Sequence, residues 1–179
     1  MDEKLIKLDK GVFLHIINTD KFKTNLMAAF LLLDLVKEDV TINALIPSVL
    51  KRGTYKLKSM KEISNEMDDM YGAIFDASSD KIGDNQALQF YISTIDDEYA
   101  LNNEKLLLES IDFMHELIFN PKLVNGKFDL DYVASEKEQL RELIKSKINK
   151  NNKILEWKML LFKLNLWQML NNSIFMEHT

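Results

Sequence analysis

The stretch TINALIPSVLKRGTYKLKS, Thr41 to Ser59, decides the fold. Ile42, Leu45, Ile46, Val49 and Leu50 recur at i, i+3, i+4, i+7 and i+8, the signature of a helix with one apolar face. Arg52-Gly53-Thr54 then stops it, because glycine reaches backbone angles that other residues avoid. Pro47 and Ser48 are out of place on the way to that turn, since an interior proline removes a helical N–H donor.

Working outward, EKLIKL and VFLHIINT flank Asp9-Lys10-Gly11, a hairpin signal between two alternating runs. NLMAAFLLL follows, apolar on both faces, and is expected to be a central, covered strand. Downstream of the quoted helix, Ser59-Met60-Lys61-Glu62 reads as a capping box. Met60, Ile63, Met67 and Met70 form the expected buried stripe of the next helix, and Gly72 its stop.

Two strands, AIFDASS and QALQFYISTI, are joined through Gly83-Asp84-Asn85. In the second, Leu88, Phe90 and Ile92 face one way and Gln89, Tyr91 and Ser93 the other, which predicts a sheet with one covered face. EKLLLESIDFMHELIF is expected to bury Leu107, Ile111, Met114 and Ile118, and Asn120-Pro121 ends it. DYVASEKEQLRELIKSKI is expected to bury Val133, Leu140, Leu143, Ile144 and Ile148. The predicted class is α+β, an antiparallel sheet with helices packed on one face in the order β-β-β-α-α-β-β-α-α. Residues 1–150 form the expected domain, and 151–179 a helical tail.

The 179 residues suffice for one real core, and 46% hydrophobic with 28% charged residues is an ordinary globular composition. A formal charge of −5 gives no electrostatic case for nucleic acid. Lys145, Lys147, Lys150 and Lys153 read as a solvated helix face. With no cysteine, disulfides, thiolate metal sites and cysteine nucleophiles are excluded. The opening MDEKLIKLDKG has acids where a signal peptide has a basic and then an apolar region, so a cytoplasmic protein is expected.

A hydrolytic metal site needs clustered histidines or carboxylates. His15 sits in a strand and His178 near the terminus, neither with a partner spaced to share a metal. His115 begins an H-E-x-x-H-like string, but the second histidine position is Phe119. Asp76, Asp80 and Asp84 lack the alternation of a calcium loop. No catalytic residue, metal ligand or cofactor is expected from the residues alone.

The strings GVFLHIINT, LKRGT, YGAIFDASS, ELIFNP and SEKEQL, in this order, resemble the pitrilysin family of zinc peptidases, which includes insulysin and the mitochondrial processing peptidase. The resemblance runs from residue 4 to about residue 148 and covers an N-terminal domain only. DKFKTN, ALIPSVLKRGT, MYGA and YVASEKEQLRELI look closest to a YfmF-like, non-catalytic branch. In active members the corresponding helix carries H-x-x-E-H, two zinc-binding histidines and a general base. The resemblance places that motif on Ala44-Leu45-Ile46-Pro47-Ser48, so both histidines and the base are gone, to Ala44, Ser48 and Pro47. The third ligand falls near Leu143 or Glu142 if Glu136 is the earlier family glutamate.

The family works in pairs, one half carrying zinc and the other inactive. The resemblance therefore implies a non-enzymatic partner subunit, binding a zinc-bearing homologue or itself, with a peptide or protein client. It also implies a link to elongation factor P modification. The strand AIFDASS resembles the one that pairs with extended substrate, making Phe75, Asp76, Ala77 and Ser78 the candidate peptide-binding edge. Asp76 would favour a basic peptide. Two alternatives stay open: a hydrolase with an unrecognised site, and an interaction module that meets a membrane through the apolar helix at 154–170, without spanning it.

Overall fold

The computed structural model describes the backbone of residues 2–163 and the side chains of residues 2–148. Element order is as expected: β1 (Asp2–Asp9), β2 (Val12–Asn18), β3 (Thr24–Asp34), α1 (Val40–Leu50), α2 (Met60–Asp69), β4 (Ile74–Ile82), β5 (Asn85–Ile95), α3 (Leu106–Phe119) and α4 (Leu130–Lys163). The fold is α+β and its strands pair antiparallel. Met1–Val133 forms one compact unit and Ala134–Thr179 a second.

Strand pairing is in two pieces. β1 and β2 make a hairpin closed by Lys10-Gly11, where Gly11 supplies the positive φ that the tight turn requires. A separate three-stranded sheet has the order β3-β5-β4. The centre is therefore β5, and the expectation of a central β3 is corrected: β3 is an edge. Its apolar residues on both faces do not mean cover on both faces. Met27, Ala29 and Leu33 pack on the core, whereas Leu26, Phe30 and Leu32 are 70%, 56% and 60% exposed.

β5 shows the predicted alternation. Leu88, Phe90 and Ile92 are buried, and Gln89, Tyr91 and Ser93 are half-buried on the other face. Phe90 lies opposite Ala29 of β3 and Ala77 of β4, so two small residues flank the largest one at the middle of the sheet. The core joins this face to Leu50 of α1, Ile63 and Met67 of α2, and Leu106, Phe113, Met114 and Leu117 of α3. Phe75 meets Phe113 edge-on, ring centroids 5.0 Å apart.

Helix faces were less legible. α3 buries Leu106, Ser110, Phe113, Met114 and Leu117, and Ile118 packs on the core as expected, while Leu107 and Ile111 are exposed. The stripe is thus rotated by one residue, because the Leu106-Leu107-Leu108 run allows either face. Ser110 tolerates burial by donating to the Leu106 carbonyl at 2.7 Å. Ile42 at the start of α1 and Met60 at the start of α2 are exposed.

In α4 the expected stripe is also corrected. Val133 and Leu140 are half-buried, but Leu143, Ile144 and Ile148 are exposed. Glu138–Arg141 and Glu142–Lys145 ion pairs run along this helix. The expectation that residues 154–170 form a covered or oligomer-forming face falls on side chains outside the described residues. Among the described residues no helix is long and apolar enough to cross a membrane.

Candidate functional site: the α1 face and the β4 edge

α1 runs through Pro47 without breaking, and Pro47 is buried in it. Ala44, Pro47 and Ser48 stand at i, i+3 and i+4, hence on one side of the helix. Ala44 and Ser48 are half-buried. The same side continues one turn on to Lys51, whose Nζ donates to Asp76 Oδ1 of β4 at 2.8 Å. Tyr91, opposite Asp76 on β5, donates its hydroxyl to Asp76 Oδ2 at 3.3 Å.

Three residues from three elements therefore meet at one carboxylate. Partial burial alone would raise the Asp76 pKa. The Lys51 ammonium, the Ala77 backbone N–H and the Tyr91 hydroxyl outweigh it and hold the carboxyl below its ordinary value. Neither Lys51 nor Tyr91 was singled out in the sequence. For Lys51 the signal was available, since it lies three residues beyond Ser48 on the same helix face.

The turn after α1 is held by close backbone packing and several hydrogen bonds. A Cβ on Gly53 would come within 3.0 Å of the Leu57 carbonyl oxygen and 3.1 Å of the Lys58 carbonyl carbon, so backbone proximity requires glycine. Buried Thr54 accepts from Leu57 N–H at 2.9 Å. Thr54 forms an isolated antiparallel β-bridge with Pro121, Tyr55 N–H donates to the Asn120 carbonyl at 2.8 Å, and Lys122 N–H donates to the Gly53 carbonyl at 3.1 Å.

Buried Glu116 of α3 accepts from Lys56 N–H at 2.9 Å and from Asn120 Nδ2 at 3.0 Å, which satisfies a carboxylate that would otherwise be costly to bury. Tyr132 lies under two cations, Lys122 at 5.1 Å and Arg52 at 5.8 Å. The strings LKRGT and ELIFNP are thus halves of one clamp, which holds the C-terminal end of α1 in place. Ser59 caps α2 by accepting from Glu62 N–H at 3.2 Å, while the Glu62 carboxylate reaches Lys58 N–H at 2.8 Å.

β4 is the second edge of the sheet, paired only with β5 among the described residues. Phe75 and Ala77 turn to the core, and Asp76 and Ser78 to the other face, where both are half-buried. Of the remaining candidates, Glu136 is buried and Glu142 pairs with Lys145, both in the second unit. Exposed His15 bonds Glu3 at 2.8 Å on the hairpin. The His115 ring lies tilted against Phe119, the residue at the missing histidine position, with centroids 5.1 Å apart. Among the described residues no three His, Asp or Glu side chains are grouped to hold a metal ion.

No protein-family model matches the chain. Over 136 residues it is 32% identical to the "Probable inactive metalloprotease YmfF" of Bacillus subtilis (strain 168), covering 76% of this chain and 32% of that protein. It also superposes on a solved conserved protein from Enterococcus faecalis V583 with a TM-score of 0.76 and 28% identity, over 82% of this chain and 34% of that one. The branch label expected from the sequence, YfmF, is corrected to YmfF. The chain spans about a third of the length of each, 32% and 34%. In sequence the chain is thus similar to one part of a larger probable inactive metalloprotease, and in fold to one part of a larger conserved protein.

Proposed function

We propose that this chain is a non-catalytic, peptidase-like domain that binds an extended peptide or partner segment along the outer edge of β4. The observation that carries the reading is the face of α1. Where the resemblance places two imidazoles and a carboxylate, the helix presents Ala44, Pro47 and Ser48, with neither a metal ligand nor a base. The name of the Bacillus relative, a probable inactive metalloprotease, supports the same reading.

Binding by strand addition survives loss of the metal, because it uses backbone N–H and C=O groups of an edge. Ala77 and Ser78 are small enough for a peptide backbone to approach. Lys51 already neutralises Asp76 in part, so a basic peptide side chain must share that carboxylate or displace the lysine. The resemblance further supports a role as the inactive partner of a zinc-bearing homologue, in the modification of elongation factor P.

Proline at an edge position removes one N–H and blocks pairing. Ala77→Pro and Ser78→Pro are to be titrated in turn with a labelled peptide of alternating valine and lysine. At least one variant loses binding while its circular dichroism and melting stay near the parent's. Parent-like binding by both folded variants overturns the reading.

A further inference from the structure

The opposite edge of the sheet carries a different inference. β3 pairs with β5 through eleven consecutive residues, Thr24 against Ile95 to Asp34 against Asn85, with no bulge. Its other edge has no strand partner among the described residues. Strand edges are ordinarily protected by lysine, proline, a bulge or short length. TNLMAAFLLLD has none of these, and no charge before Asp34. The hairpin strands, by contrast, interleave Lys4, Lys7, Asp9 and His15 with their apolar residues.

From this edge we infer that β3 pairs antiparallel with β3 of a second copy of the chain, about a two-fold axis at Ala29. In such a pair, residues directly opposite lie on the same face of the joined sheet. The strand is self-complementary in that register. On the exposed face Leu26 meets Leu32 of the second copy, and small Ala28 meets large Phe30. Thr24 meets Asp34, a hydroxyl against a carboxylate at each end of the seam. On the core-facing side Met27 meets Leu31, and Ala29 meets itself. Two three-stranded sheets become one of six strands, the unpaired backbone groups of both edges are satisfied, and Leu26, Phe30 and Leu32 gain apolar cross-strand neighbours.

This inference is independent of peptide binding at β4, and its test reads neither peptide nor metal. The chain has no cysteine, so introduced cysteines report register without background. Ala29→Cys, Leu26→Cys and Leu32→Cys variants of the chain are oxidised mildly after light scattering at tens of micromolar. The parent is expected at twice the chain mass. Ala29→Cys cross-links to itself, and Leu26→Cys cross-links to Leu32→Cys when mixed but scarcely to itself, because disulfide geometry tolerates little displacement.

Phe30→Lys changes an exposed residue and is expected to halve the mass, leaving circular dichroism unchanged. A monomeric parent overturns the inference. So does a dimer that survives Phe30→Lys, or one in which Leu26→Cys cross-links to itself as readily as to Leu32→Cys, since another surface then joins the copies.

Discussion

The two edges of the three-stranded sheet share one centre and differ in almost everything else. β4 is polar on its outward face, with Asp76, Ser78 and Asp80, and is tied by Lys51 to the end of α1. β3 is apolar on the same face, with Leu26 70% and Phe30 56% exposed. A polar edge can stay in water and still offer its backbone to an extended ligand, as the proposed function requires. An apolar edge is stable in water only at a cost of order 25 cal/mol per Å² of exposed apolar area. It calls for a permanent cover, whereas the other suits a transient one.

The largest expected effect is a change that breaks both edges together. Phe90 is fully buried between Ala29 and Ala77, and Phe90→Ala leaves a cavity in the core beside them. The loss should be about 3–5 kcal/mol, read as a fall in the denaturant midpoint. A loss under ~1 kcal/mol would mean that the sheet is not packed through Phe90.

A smaller effect should fall on the β4 side alone. Gly53→Ala places a Cβ against the backbone of Leu57 and Lys58, atoms that can move only with the chain. A cost of about 1–3 kcal/mol is expected, with faster amide exchange in residues 51–58 and in the end of α3. Amides of β3 should keep the parent's protection. Equal acceleration on both edges would show that the clamp does not act locally.

The smallest effect tests the ion pair. Lys51 and Asp76 keep 33% and 44% of their side-chain surface in water, so Asp76→Asn should cost no more than about 1 kcal/mol. Its pH dependence has a definite sign. The folded pKa lies below the ordinary 3.8, so the contribution is present above 3.8 and fades as pH falls through the lower folded value. Parent and variant melting temperatures should therefore differ at neutral pH and converge in acid. A gap that widens in acid would contradict the Lys51–Asp76–Tyr91 arrangement.

Local punctuation was legible in the sequence. The Lys10-Gly11 turn, the Ser59 cap, the Gly72 stop and the Asn120-Pro121 end act through the residue concerned and its near neighbours, and all stand where they were read. Alternation in β5 was legible for the same reason. Which strand lies at the centre was not, because an apolar residue records a preference for burial and not its fulfilment. β3 and β5 both carry alternate apolar residues, and only the order of pairing leaves one of them at an edge.

Of the α3 stripe, Met114 and Ile118 pack on the core as expected, while Leu107 and Ile111 failed on three successive leucines, any of which could lead it, and on Ser110 and Glu116, whose burial is offset by distant or backbone partners. At the candidate site only the resemblance points to Ala44, Pro47 and Ser48, and the proposed function rests on that placement. The meeting of Lys51, Asp76 and Tyr91 was not legible, since they are separated in sequence and brought together by strand register.

The central claim of the proposed function is that α1 holds no metal, and it is tested most directly by metal analysis of the pure chain without an affinity tag. Equilibrated with a small excess of zinc and desalted, the protein should retain far less than one zinc per chain and show no chelator-sensitive peptide cleavage. One zinc per chain together with cleavage abolished by chelator would contradict it.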